Sequence, residues 1–307
     1  APPTRRVALP EVRDAQVTAS VPLRGLGPSR ERVRASLEAA IADASGDAGR
    51  VTVSIDGLVA DARPVERFAM SATIVSLEPR VLDPFMPELS AIPPAPDVAG
   101  ESSMLPAPLA VASEALGGPL DASALLVFRP QPDAPLLQGR TTLDLTLASP
   151  RLTTREPVQV ALLPDRVRLR APAAIDWTMA PRLGEALLYP NASPTMAPRL
   201  TSPARWALDI GAFELATEGP PLRPDVFLAD AVLTSDRVEL VAPPAERFTI
   251  RDWRTTLSVK RAEPRLIHAT HSVARDDGQG GTITATVTSL TDERGNLTLD
   301  RAAVTAR

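Results

Sequence analysis

The sequence predicts a mostly β protein, an elongated and curled sheet of antiparallel or mixed strands with a few short helices; a β-sandwich is the alternative. Three observations carry this. Short runs alternate aliphatic and polar residues with a period of two: VTVSIDG (Val51, Val53, Ile55), TTLDLTLAS (Leu143, Leu145, Leu147), WALDIG (Trp206, Leu208, Ile210), TTLSVKR (Leu257, Val259) and GTITATVTS (Ile283, Ala285, Val287). That period sends every second side chain to one sheet face. The 33 prolines, against a usual level of about one residue in twenty, fall between these runs, as in PRLTSP, GPPLRP and VAPPA. A proline inside a central strand would delete a ladder hydrogen bond, so its exclusion supports the strands. Finally, the 307 residues are 44% hydrophobic but only 3% aromatic. Whatever this chain buries or presents is therefore built from Val, Leu, Ile and Ala, a surface as suited to acyl chains as to a core.

From the N-terminus, residues 1–90 read as a β segment with one amphipathic helix over 29–45. In SRERVRASLEAAIADASG, Ser29 can cap, Glu31 and Glu38 interrupt the basic face, and Val33, Leu37, Ala40, Ile41 and Ala44 form one stripe before Gly46. Shorter helical patches are expected at Pro79–Phe85, at Leu109–Leu116 before Gly117 and Gly118, and at Pro181–Leu187, where proline opens the helix. Residues 91–107, AIPPAPDVAGESSMLPA, read as a Pro-rich loop or boundary, and 108–307 as a repeated β-sheet segment. DRVRLRAPAA (Asp165–Ala174) returns as DRVELVAPPA (Asp236–Ala245), and a Pro-Arg-aliphatic step recurs at Glu78, Ala180 and Glu263. Such echoes point to stacked strand units sharing one sheet.

Most reactive chemistry is excluded. With no cysteine there is no disulfide, thiolate site or thiol nucleophile. The two histidines, His268 and His271, are three apart in LIHATHS, a spacing that sends them to opposite faces of a strand and makes them poor joint ligands. ARDDGQGG (Ala274–Gly281) starts like a calcium turn, then lacks the later carboxylates and reads as a hairpin. GGPLDAS and GQGGT lack the phosphate-loop lysine and the dinucleotide glycine spacing. No enzyme, metal or cofactor is expected. A net charge of −4, with 33 basic and 37 acidic residues interspersed, argues against nucleic acid as a partner. Nearly all the basic residues are arginines; Arg166, Arg168, Arg170 and Arg237 stand as rim positions able to meet a phosphate in bidentate fashion.

No run reaches the roughly 18 apolar residues of a spanning helix, and APPTRRVALPEVRD lacks a signal-peptide core. Beginning at Ala1 and ending in a strand, NLTLDRAAVTAR, the chain reads as an excised piece.

The alternating strands, the strand-to-helix step IDWTMAPRLGEALL, the segment SEALGGPLDASALLVF and the closing strand-turn-strand GTITATVTSLTDERGNLTLDRAAVTAR resemble the periplasmic repeats of AsmA- and TamB-like proteins of diderm bacteria. The resemblance covers Val51 to Arg307 and implies a curled sheet whose concave side is aliphatic, carrying phospholipid between the two membranes in support of outer-membrane biogenesis. It further implies a periplasmic or envelope location, an inner-membrane anchor outside this chain, and envelope protein partners. The implied lipid-groove residues are Val51, Val53, Ile55, Leu143, Leu145, Leu147, Val158, Val160, Leu162, Val167, Leu169, Leu208, Ile210, Val238, Leu240, Leu257, Val259, Ile283 and Val287. Between them stand Asp56, Asp144, Gln159, Arg168, Asp209, Glu239, Ser258 and Thr284, a composition suited to a solvated back. The competing expectation is a structural or adhesive β-sandwich module of an exported protein, its aliphatic face closed over a core.

Overall fold

Alternation at a period of two becomes one very long sheet. The computed structural model describes residues 10–20, 31–60, 63–86, 90–91, 107–130, 139–188, 199–217, 228–242, 246–259, 267–276, 282–291 and 297–306. The chain opens with β1 (Glu11–Ser20), β2 (Glu31–Asp43), β3 (Gly46–Ala60) and β4 (Arg63–Leu77), followed by 3-10 turns at Pro79–Val81 and Asp83–Phe85. The two-residue strands β5 (Ser90–Ala91) and β6 (Ala107–Pro108) pair only with each other, and α1 (Val111–Leu116) leads into β7 (Leu120–Pro130) and β8 (Gly139–Ala148). Next come the short strands β9 (Leu152–Thr154), β10 (Val158–Leu162), β11 (Arg166–Leu169) and β12 (Ala173–Met179), then α2 (Pro181–Leu188). β13 (Arg199–Leu200) and β14 (Ala204–Ala216) precede the long strands β15 (Leu228–Ala242) and β16 (Glu246–Val259), and β17 (Ile267–Asp276), β18 (Thr282–Thr291) and β19 (Leu297–Ala306) close the order.

Seventeen strands form this one sheet, and every pairing in it is antiparallel. Three rows are broken strands. β9 and β10 both pair with β8, β11 and β12 both pair with β14, and β13 and β14 both pair with β15. With those counted once each, every row pairs with the row before it and the row after it. The result is an up-and-down meander whose edges, β1 and β19, are not paired with each other among the described residues. Among the described residues no second sheet packs on it, the only other one being the two-residue pair β5–β6. The fold is therefore the mostly β curled sheet with short helices, and the described residues form no sandwich.

Bulges supply the curl. Three non-glycine residues have positive φ, Asp14 (52°), Ser76 (53°) and Asp252 (51°), and each lies inside a register shift. A bulge bends its strand and increases local twist, so repeated bulges roll a long sheet. The Ser76 bulge is clamped from the next row, where Asp121 Oδ1 accepts its N–H at 2.7 Å.

One expectation is overturned. Of the span 29–45, the described residues 31–45 form no helix; Glu31–Asp43 is strand β2. The segment also carries apolar residues at 33, 35, 37, 39 and 41, and exposure alternates along it, with Ala39 and Ala42 buried. With β1 on one side and β3 on the other, its backbone groups are paired in ladders, and tertiary context overrides the helical propensity of an Ala-rich stretch. The other helical patches appear as the two 3-10 turns, α1 and α2.

Of the Pro-rich stretch 91–107, residues 92–106 lie outside the described residues, as do 277–281 of the suspected calcium turn; across the Pro-rich stretch, β4 pairs directly with β7. The DRV echoes fall at opposite ends of their rows, Arg166 opposite Ala216 and Arg237 opposite Arg251, so they are not equivalent units. Pro79 and Pro181 are equivalent in place: each opens a helical turn after a strand.

All the described helical turns gather at one end of the meander, where β4 and β12 end and β7 begins. There they close over the apolar face. Val81 and Leu116 pack with Ala48, Leu77 and Leu120, while Leu183 of α2, 1% exposed, packs with Leu109 and Ala180. Asp83 caps α1 from outside the helix: its carboxylate accepts the N–H groups of Ala112 (2.7 Å) and Ser113 (3.2 Å) and the Ser113 hydroxyl (2.6 Å). Gly117, with φ 68°, ends the helix in the left-handed conformation. Gly184 lets α2 come close to β13, for a Cβ there would stand 2.3 Å from Leu200 Cδ1.

Candidate functional site

Cross-strand partners share a face, so the register assigns each side chain to one side of the sheet. Val53 of β3 stands between Leu37 and Ala72, which leads to Ala124, Leu145 and Val158 in successive rows. Val160 then meets Leu169, and Leu162 meets Val167, which faces Leu215. Ile175 carries the face from β12 to Leu208, which faces Leu233; Leu257 faces Ala231, and Val287 faces His271. Seventeen of the nineteen expected groove positions thus fall by register on one side of one sheet, the side on which the helical cap sits; Val238 and Leu240 have opposite parity to Leu233 along β15 and are tied to that side only by packing with Trp206, Leu233 and Trp253.

Their exposure is not uniform. Val51, Val53, Ile55, Leu143, Leu145, Leu147, Val158, Val160, Leu162, Val167, Leu169, Leu208, Ile210, Leu257 and Val287 are partly buried, shielded sideways by neighbouring rows, and Ile283 is exposed. Val259 is placed by its register opposite Ala229. Val238 and Leu240 differ: they are buried, at 2% and 6% exposure, in a core with Met179, Leu200, Ala204 and Trp206. This core belongs to the capped end, where Trp206 and Trp253 meet edge to face at 5.4 Å. The indole Nε1 atoms of Trp177 and Trp206, a cross-strand pair, are buried there without a hydrogen-bond partner among the described residues.

Sequence reading missed the rows between β3 and β8. Phe68, Met70, Ala72 and Ile74 of β4, and Leu120, Ala122, Ala124, Leu126 and Phe128 of β7, complete the apolar face. The signal was present as the alternation Phe-Ala-Met-Ser-Ala-Thr-Ile, weakened by small residues. Toward β19 the face becomes more polar. Trp253 Nε1 donates to Thr255 Oγ1 at 2.9 Å, and that oxygen is 3.0 Å from His271 Nδ1. His268 pairs in register with Ser258 and Leu290, on the opposite face from His271.

The other face is polar and stitched by ion pairs. Arg32 Nε donates to Asp56 Oδ1 at 2.8 Å and Arg155 Nε to Asp176 Oδ2 at 2.9 Å; at the capped end Arg80 Nε donates to Asp43 Oδ2 at 2.6 Å. These hydrogen-bonded guanidinium groups hold the carboxyls of Asp43, Asp56 and Asp176 below the ordinary aspartate range. Two of the four rim arginines are already engaged. Arg166 lies between Asp165 (2.7 Å) and the buried Glu214 (3.0 Å), which together raise its pKa, and Arg237 pairs with Glu239 at 2.7 Å. Asp144 Oδ1 is buried on this face with no hydrogen-bond partner among the described residues.

Among the described residues no group of three His, Cys, Asp or Glu side chains is placed to hold a metal ion, and no helix is long and apolar enough to cross a membrane. Compared with known proteins, the chain matches no family model, no curated sequence and no solved structure.

Proposed function

We propose that the chain is a non-catalytic lipid-holding segment that lays phospholipid acyl chains against the apolar face of its meander. One observation carries the reading: an apolar, largely aliphatic face runs from β2 to β14, and among the described residues no second layer lies over it except at the capped end. A ten-residue strand such as β8 spans about 34 Å, more than twice the roughly 15 Å that one leaflet gives an acyl chain. Each methylene withdrawn from water contributes about 0.8 kcal/mol, so an aliphatic track without polar anchors binds the chain while leaving it free to slide. The helical cap makes the two ends of the track unequal: lipid would enter away from α1 and α2 or over a sheet edge. In this reading the chain works in the cell envelope as part of an AsmA- or TamB-like bridge, anchored by segments outside it.

A structural or adhesive role is the second reading, favoured by the two edges, β1 and β19, which among the described residues pair on one side only and are exposed along their described lengths. Native mass spectrometry with lipid extraction, on protein purified from a bacterial envelope, separates the two. Co-purifying phospholipid that is lost in Leu145→Asp and Leu208→Asp variants with unchanged circular dichroism supports the lipid track. A lipid-free chain sinks it in favour of the structural role.

A further inference from the structure

The polar face holds a cleft of about 540 Å³ lined by Val127, Arg129, Arg140, Thr141, Thr142, Ala161, Leu163, Arg168 and Arg170. Four guanidinium groups border it, and no carboxylate does among the described residues. The contrast with neighbouring clefts is chemical: one sets Arg151, Arg155 and Arg205 against Asp176 and Asp236, and another sets Arg32 and Arg67 against Asp56. Sequence distance hides the cluster and register assembles it. Arg129 and Arg140 are direct cross-strand partners on β7 and β8, Arg168 pairs with Ala161, and Arg170 donates its N–H to Gln159 O at 2.8 Å. Small residues form the floor between the two arginine pairs, Thr142 opposite Ala161.

Like charges directly opposite each other in a ladder destabilise a sheet. The Arg129–Arg140 pairing is thus an energetic fault that a bound anion would repair. We propose that this cleft is a phosphate-binding site, taking the phosphate of a phosphoester ligand between Arg129/Arg140 and Arg168/Arg170 through bidentate guanidinium hydrogen bonds. With a net charge of −4 on the whole chain, the positive field is local, which suits one phosphate group rather than a polyanion track. The site lies across the sheet from the apolar face and stands whether or not that face holds lipid.

The test uses the full chain and two probes: inorganic phosphate by calorimetry, and phosphatidylcholine vesicles with or without phosphatidylglycerol by co-sedimentation. Two double variants, Arg129→Ala/Arg140→Ala and Arg168→Ala/Arg170→Ala, are compared with Arg32→Ala/Arg34→Ala, which removes the same charge from arginines placed beside Asp56. Binding of either probe weakened about tenfold or more in both site variants, but not in the control, supports the site; the probe that binds identifies headgroup or free phosphate as its source. Phosphate should also raise the melting temperature of the native chain and not of the site variants, a readout independent of the vesicles. Failure of both probes to bind, or an equal loss in the control, overturns it.

Discussion

Leu183→Ala and Leu145→Ala make the same chemical change in two places, and the difference between their costs measures whether the apolar face is open. Leu183 of α2 is 1% exposed, packed by Leu109, Ala180 and Trp177 within the capped end. Truncation there removes buried methylenes worth about 0.8 kcal/mol each and leaves a closed cavity, so a loss of about 3 kcal/mol is expected, within the roughly 2–5 kcal/mol typical of buried leucines. Leu145 stands between Ala124 and Val158, partly buried by those neighbours, on a face over which the described residues place no second layer. Truncation there leaves an open dimple rather than a cavity, and only a discounted transfer contribution is lost, about 1 kcal/mol. Urea unfolding followed by circular dichroism, with unchanged slopes, reads both values. Equal losses at the two positions would refute the open face, because they would mean that something packs over Leu145 as tightly as Leu109, Ala180 and Trp177 pack around Leu183.

Further outcomes follow from the capped end and the polar face. Gly184→Ala should destabilise the chain by about 1–3 kcal/mol, since the new methyl would meet Leu200 Cδ1 at 2.3 Å; thermal unfolding checks it. Asp83→Ala should cost about 1–2 kcal/mol and speed hydrogen exchange at the Ala112 and Ser113 amides, which lose their acceptor. Acid should weaken the sheet in a defined window. The carboxyls of Asp43, Asp56 and Asp176 have pKa values depressed in the folded state, so their contribution is fully present above the unfolded value of about 3.9 and is lost as pH falls through the lower folded values. Urea midpoints should be steady above about pH 5 and fall below about pH 4, and Asp176→Asn should flatten that fall. Because these pairs are exposed, the fall should also shrink in high salt.

What could be read from the chain divides along the range of the interaction. Leu143, Leu145 and Leu147 declare their face through local alternation alone, and so do Ile283 and Val287. Glu31–Asp43 shows where that signal fails: its apolar residues satisfy a helical stripe and a strand face equally, and only the neighbours β1 and β3 decide between them. Register is wholly non-local, which is why Arg166 and Arg237 stood out in the sequence yet prove to be neutralised by Glu214 and Glu239, while Arg129 and Arg140 are joined only by the pairing of β7 with β8. The same reasoning explains why one long face can exist at all. In an up-and-down meander each row inherits its facing from the row before, and a slip of a single residue would turn its aliphatic set toward the polar side. The register shift between Ile210 and Ala212 puts that inheritance at risk, and it is absorbed: Gly211 falls within the shift while Ile210 opposes Ala231 and Phe213 opposes Ala229, so both keep to the same face. The extra residue bends the sheet without inverting it. Curl and continuity thus come from the same device, and a face that must both wrap and stay aliphatic requires the two together.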